Sequence, residues 1–404
     1  MPRLTYDTAG ESHGPGMLAV VRGMPAGVPV DPGFINAELR RRQGGYGRGA
    51  RQRIEEDSAE ILSGVRRGRT IGSPVAMLIR NADSRLDDLA RTPPVYRPRP
   101  GHADLAGSVK WLTTDCRETL ERASARETAA RVAAGALARL LLREFGIETF
   151  GFVRAIITER TDIAVTEDNW RSMLAARDAS EVSCPDGAAS ERMAAAIRQA
   201  KIDKDTVGGL VETHVFGCPM GLGTCADWRE RLDSRLAAAV MGIQAFKGVE
   251  IGLGLASAAH RGSALHDPIR FDRARESLPG GGPSPSLGFV RDSNNAGGLE
   301  GGMTNGQPVV VRGAMKPIAT LLQGLPSVDL NTKEAQMSQY ERSDICAVPA
   351  AGVVMEHAVA FEIAAALLEK TGGDSLLECR TNHENFLRAA RTLPLDPPVT
   401  GPMA

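Results

Sequence analysis

The chain has 404 residues, with 48 Lys plus Arg against 49 Asp plus Glu and a formal net charge of −1. That balance excludes a globally basic nucleic-acid coat, though not a local basic pocket. With 42% apolar and 24% charged residues the chain is not a disordered one, and 4% aromatics speak against a base-stacking surface. A chain of this length buries a core without disulfide or metal staples. Its six cysteines include no Cys-x-x-Cys pair, so no metal site is expected and a reducing, cytoplasmic setting is. The N-terminal residues show no apolar secretory segment, and no run approaches 18 apolar residues, so no membrane span is expected.

Short strands fit Leu18–Arg22, Ala76–Ile79, Glu148–Ile157, Gly209–Val215 and Pro308–Arg312. A three-four spacing of Leu120, Ala123, Ala130, Ala134, Leu137 and Leu141 predicts one long helix from Glu118 to about Glu144, closed by Gly146. Its Ala-rich face lets neighbours pack closely. Further helices are expected over Asp233–Ile243 and Val354–Lys370. The rest is rich in loops, with Asn294–Gly306 dense in Gly and Asn. No composition break divides the chain. We therefore expect one α+β domain over residues 1–391, with 162–204 a peripheral excursion and 392–404 a disordered tail.

Several loops carry groups suited to chemistry. Gly10-Glu11-Ser12-His13-Gly14 sets a His between glycines; it is either a proton-transfer residue or an incidental surface His. Arg40–Arg51 interleaves arginines with glycines, as a phosphate cradle or as a solvated charge run. Of the 48 basic residues 41 are Arg, the side chain with the fork for phosphate and carboxylate. Arg97–Asp104 holds His102 between Pro, Gly and Arg. Arg122 and Arg126 stand four apart, on one face of the expected long helix, with surface pairing to Glu118 and Glu127 as the plainer alternative. Met315–Thr320 places Lys316 after the Gly297–Gly306 stretch, and Arg342-Ser343-Asp344 sets a carboxylate beside an arginine.

Taken together, these strings resemble the chorismate synthase family. The resemblance is carried by Thr8–Gly14, Arg41–Gln43 with Gly45–Gly49, Arg99–Asp104, Glu121–Ala129, Met241–Glu250, Gly297–Gly306, Met315–Thr320 and Arg342–Ala350. It implies a β-α-β sandwich, antiparallel sheets around long central helices, assembled as a homotetramer. It further implies a lyase of aromatic amino acid biosynthesis, in the shikimate pathway. The reaction would be a 1,4-anti elimination of phosphate from 5-enolpyruvylshikimate 3-phosphate, dependent on reduced FMN. NADPH would be a candidate flavin reductant.

By the same resemblance, Arg42, Arg48 and Arg126 contact substrate. His13 protonates the departing phosphate, His102 manages flavin protonation, and Asp344, held near flavin N5, helps the flavin accept the C6 proton. The implied FMN contacts are Arg122, Ala123, Ser124, Gln244, Ala245, Gly301, Lys316, Pro317, Ile318, Ala319, Thr320 and Arg342. Ala319 departs from the Ser usual in the family, as does Tyr6-Asp7 from the aromatic residue usual before the Thr-Ala-Gly.

Overall fold

Strict alternation builds the first sheet: Met17, Ala19 and Val21 are buried while Leu18 and Val20 between them are partly exposed, and Val75, Met77 and Ile79 repeat the pattern. The sheet orders Thr5–Ala9, Gly16–Arg22, Val75–Arg80 and Ala59–Ile61, all antiparallel. A second antiparallel sheet runs Phe246–Ile251, Val309–Met315, Gly209–Phe216, Glu148–Ile156 and Glu159–Arg160. This computed structural model describes residues 3–49, 56–279, 281–341 and 343–393.

Between the sheets lie the helices Pro32–Gln43, Thr128–Arg143 and Val348–Thr371. Thr128–Arg143 packs on the first sheet, Val348–Thr371 on the second, and the two helices pack on each other. The Ala-rich face does allow a close crossing. A Cβ placed on Gly135 would lie 2.5 Å from the Cβ and carbonyl oxygen of His357, so only glycine fits there. This is the β-α-β sandwich that the resemblance implies.

The five expected strands are present, with small differences at their ends. Gly146 takes a left-handed φ of +70° and closes its helix as expected. The expected helix over Glu118–Glu144 is instead broken. It runs Arg117–Ala123, turns through a short 3₁₀ segment at Ala125–Glu127, and resumes over Thr128–Arg143. Ser124 is the cause: it takes extended backbone angles, and its hydroxyl caps the next segment by accepting from the Arg126 N–H at 3.2 Å. Arg122 and Arg126 therefore do not share a helix face. Arg122 is exposed and Arg126 is buried.

The last core helix starts at Val348 rather than Val354, with Pro349 in its first turn. It is long and apolar enough to cross a membrane by length and composition alone, yet 94% of its apolar window is buried between the sheets. The motif-poor 162–204 segment carries two helices, Trp170–Ala179 and Gly187–Ile202. Trp170 stacks on Phe216 at 5.1 Å, beside Phe150 and Phe152 on the outer face of the second sheet. A final helix, Leu376–Arg391, starts at a Ser375/Glu378 capping box. Of the expected disordered tail, residues 394–404 lie outside the described residues.

Candidate active site

His13 sits in the turn between the first two strands. Gly10 makes that turn possible: its φ is +110°, and a Cβ there would lie 2.2 Å from the Gly16 carbonyl oxygen. Asn81 pins the turn by donating to the carbonyls of Glu11, Ser12 and Gly14 at 3.1, 3.2 and 2.8 Å. The imidazole is buried, with Nδ1 2.9 and 3.0 Å from Oε1 and Oε2 of Glu121, and Oε2 also accepts from the His13 backbone N–H at 2.8 Å. Nε2 lies 3.5 Å from Arg85 Nη2 and 3.9 Å from Asp83 Oδ2. Burial opposes ionisation of Glu121, but the His13 hydrogen bonds and the Arg117 charge outweigh it and hold the carboxyl below its usual range.

Asn81 also ties this turn to the arginines, because its Oδ1 accepts from Arg126 Nε at 2.8 Å. Arg126 Nη1 donates to Asp57 Oδ1 at 2.6 Å, and Arg42 Nη2 donates to Asp57 Oδ2 at 2.7 Å. All three side chains are buried. Burial and the neighbouring guanidiniums of Arg126 and Arg48 push Arg42 down to about 10, with Asp57 opposing them. Arg42 thus remains charged at neutral pH, paired with the buried Asp57.

Arg48 stands on the glycine loop that follows the Pro32–Gln43 helix. Gly47 has φ +89°, and a Cβ there would meet Ile197 at 2.9 Å and Cys346 at 3.0 Å. Asp344 binds this loop twice: Oδ2 lies 2.8 Å from Arg48 Nη1, and Oδ1 accepts from the Gly49 N–H at 2.6 Å. Among the described residues, the buried Nε atoms of Arg42 and Arg48 have no hydrogen-bond partner.

His102 forms a second corner. Its Nδ1 is hydrogen-bonded to Asp104, which is fully buried and also receives Arg99 Nε at 2.8 Å. Burial opposes the Asp104 charge, but the bonds from His102 and Arg99 prevail and hold its carboxyl far below the usual range. Arg99 Nη1 reaches Thr320 Oγ1 at 2.9 Å, and Lys316 Nζ donates to the Gly101 carbonyl. Lys316 in turn donates its N–H to Ala245 O at 3.0 Å, and Ala245 holds a left-handed φ of +67°. Gln244 donates to the buried Glu127 at 3.0 Å, while its own Oε1 is buried without a partner among the described residues. Arg122 donates to Gly10 O and Thr8 O at 3.2 and 3.0 Å, and Ser124 to Ser12 Oγ at 3.2 Å.

The structure therefore gathers most of the expected residues into two linked groups. His13, Arg42, Arg126, Arg122 and Ser124 meet around Asn81, Asp57 and the first turn. His102, Lys316, Thr320 and Ala245 meet around Gly101. Thr206 and Val207 bridge the second group to Asp344, by Thr206 Oγ1 to Ile318 O at 2.7 Å and Val207 N to Ile345 O at 3.0 Å. Ala319 lies beside Gly101, and Pro317 joins Lys316 to Ile318. Ala123 ends the Arg117–Ala123 helix.

Gly301 is not brought to these groups. It turns a hairpin whose Gly302 carbonyl accepts from Leu232 N–H, at the start of the Leu232–Met241 helix. Gln244 follows the other end of that ten-residue helix, about 15 Å away. Arg342 lies outside the described residues. Two cavities, of about 350 and 580 Å³, occur elsewhere, and neither is lined by His13, His102, Asp344 or the three arginines.

Sequence reasoning missed the partners rather than the heads. Asp57 follows Glu55 and Glu56 and reads as a surface acidic run; Asn81 and Arg85 carry no motif at all. Glu121, Asp104 and Arg99 stand inside quoted strings, where alternation of charge gives no sign of which face is buried.

Two imidazoles, each backed by a buried carboxylate, beside a cluster of arginines in an α+β fold form a candidate enzyme active site. The family model described as chorismate synthase matches residues 4–368. The chain is 49% identical to the chorismate synthase of Acidobacterium capsulatum over 399 residues, covering 96% of this chain and 99% of that protein. It is 51% identical to those of Desulforudis audaxviator and Geobacter sulfurreducens, over 96% of this chain in both cases and 98% and 99% of theirs. A crystal structure of chorismate synthase superposes with a TM-score of 0.78 at 38% identity, covering 97% of this chain and all of that one. The chain belongs to the chorismate synthase family.

Proposed function

We propose that the protein eliminates phosphate from 5-enolpyruvylshikimate 3-phosphate to give chorismate, as a carbon–oxygen lyase. The observation that carries this reading is the buried Arg42–Asp57–Arg126 group joined through Asn81 to His13: it puts two buried guanidiniums next to a held imidazole. Arg42, Arg48 and Arg126 bind the anionic substrate. His13 delivers a proton from Nε2 to the phosphate oxygen as the C–O bond breaks, and that bond's electron pair stays with the oxygen. Asp344, fixed by Arg48 and the Gly49 N–H, assists the removal of the C6 proton at the flavin side of the site.

The groups present fit FMN. Gln244 Oε1 is a buried acceptor without a described partner, suited to a ring N–H, and Lys316, Arg122, Ser124 and Thr320 supply donors for a phosphate tail. Ala123, Ala245, Pro317, Ile318 and Ala319 would supply backbone and apolar contacts beside it, with Arg342 the remaining proposed contact. When bound in reduced form, FMN supplies electron density to the allylic system without net redox change. His102, half-buried and held by Asp104 and Arg99, carries the proton exchanged at that side of the site. NADPH is the proposed reductant.

We read residues 1–391 as one domain, since one apolar core runs from Leu4 to Cys379. The proposed setting is a cytoplasmic homotetramer. The test is anaerobic incubation with dithionite-reduced FMN and the enolpyruvyl substrate. Chorismate and phosphate are expected in equal amounts with no flavin consumed; phosphate without chorismate, or stoichiometric flavin oxidation, would overturn the reading.

A further inference from the structure

Glu121 has been given no role in the reaction above, yet it is a buried carboxylate bound to the His13 turn. It is 1% exposed, on the Arg117–Ala123 helix, directly across from the His13 turn. The residue grips that turn at three points. Its carbonyl accepts from the Ser12 N–H at 3.1 Å, its carboxylate accepts from the His13 N–H at 2.8 Å, and both carboxylate oxygens lie within 3.0 Å of His13 Nδ1. A carboxylate only accepts, so Nδ1 must carry the hydrogen. The second ring nitrogen is then the one whose proton can come and go.

We propose that Glu121 is the positioning residue of the His13 acid: it fixes Nδ1–H and the ring plane, and so makes Nε2 the atom that delivers the proton. This rests on the reading of His13 as the proton donor to the leaving phosphate. In the step, the Nε2–H bond breaks and an O–H bond forms on the phosphate. The imidazole is left neutral, with Nδ1–H still donated to Glu121.

The charges around the ring support this division. Nε2 faces Arg85 at 3.5 Å and Asp83 at 3.9 Å, a guanidinium and a carboxylate together. On the Nδ1 side the only cation near Glu121 among the described residues is Arg117, at 3.6 Å, and Arg117 is itself engaged by Glu341 at 3.0 Å and the Pro93 carbonyl. The Glu121 charge is therefore spent mainly on His13. At the other corner Asp104 is shared with Arg99 at 2.8 Å.

The experiment is a set of variants of the whole enzyme assayed with saturating reduced FMN across pH. Glu121→Gln keeps the shape and removes the charge. It is expected to lower kcat about 10- to 100-fold, to leave the substrate KM within about threefold, and to move the alkaline limb of kcat/KM about one unit toward acid. Glu121→Asp restores the charge at shorter reach and should return the limb most of the way. In a His13→Ala background, Glu121→Gln should cost nothing further.

An unmoved limb with full kcat in Glu121→Gln overturns the proposal, as does an equal loss in both backgrounds, which would mark Glu121 as structural only. Should Glu121→Gln fail to fold, ¹⁵N resonances of His13 in the wild-type enzyme decide: neutral imidazole with the hydrogen on Nε2 overturns the proposal, and on Nδ1 supports it. Wild-type turnover in His13→Ala would overturn the functional reading beneath it. A slow His13→Ala with a normal Glu121→Gln would sink this proposal alone.

Discussion

The arginines of the site are held in two different ways. Arg42 and Arg126 come from separate helical segments and are locked below the surface on one carboxylate, Asp57, with no exposed stem. Arg48 rides on a glycine loop and meets Asp344 near the mouth, where both are partly exposed. Two guanidiniums held on one buried carboxylate make a rigid floor. One guanidinium paired one to one on a loop makes a contact that can be exchanged for a ligand. The difference shows how a pocket can hold charge that folding must tolerate and still keep one arginine free to trade partners.

The sharpest way to break this comparison is to remove the shared carboxylate. Asp57→Ala leaves two buried guanidiniums facing each other, and loss of one partner from a buried pair costs about 3–5 kcal/mol. Denaturant melts should show that loss. A variant as stable as wild type would mean that the floor is held by something other than Asp57.

Next in size come the imidazoles, each tied to one side of the site. His13→Ala and His102→Ala are both expected to lower turnover by about 10²-fold or more. Near-normal kcat in either variant, with reduced FMN saturating, would return that His to a structural role.

Arg48→Ala should lower substrate affinity by about 1.5–3 kcal/mol, roughly 10- to 150-fold, while leaving FMN affinity and the melt near wild type. Arg48→Lys should recover only part, since an ammonium lacks the fork. Should FMN affinity fall and substrate affinity hold, the loop serves the cofactor and the contrast between floor and mouth is wrong.

What could be read from the chain was its chemistry-bearing heads: Arg42, Arg48, His13 and His102 all stand in glycine-bounded strings. Their partners were hidden. Asp57 becomes buried only because Ala59–Ile61 pairs with Val75–Arg80, a contact set by tertiary packing. The break at Ser124 was hidden too, because the apolar spacing on either side continues across it, and only the capping hydroxyl marks the turn. Sheet order was illegible: Gly209–Phe216 sits between strands some sixty residues before it and a hundred after, and no local pattern records that. Helix contacts were easier, since Ala and Gly on one face already say that another backbone comes near.

The smallest expected effect tests whether the floor's charge balance is itself part of the fold's stability. Burial works against the Asp57 carboxylate, but Arg42 and Arg126 outweigh it and hold its carboxyl below the usual range. A carboxyl whose folded value is depressed contributes stability that is fully present above its unfolded value, about 4, and is lost as pH falls through the folded value. Wild-type stability should therefore decline as pH is lowered from about 5 toward 3. Asp57→Asn, which keeps the shape but cannot ionise, has already lost this contribution at neutral pH. Its stability should start lower and fall less over the same interval. Glu121 and Asp104 are depressed in the same direction, so the decline should shrink in the variant rather than vanish. Parallel declines in the two proteins, measured by denaturant melts at each pH, would show that Asp57 does not couple its charge to folding, and the distinction between the anchored pair and the exchangeable Arg48 would rest on geometry alone.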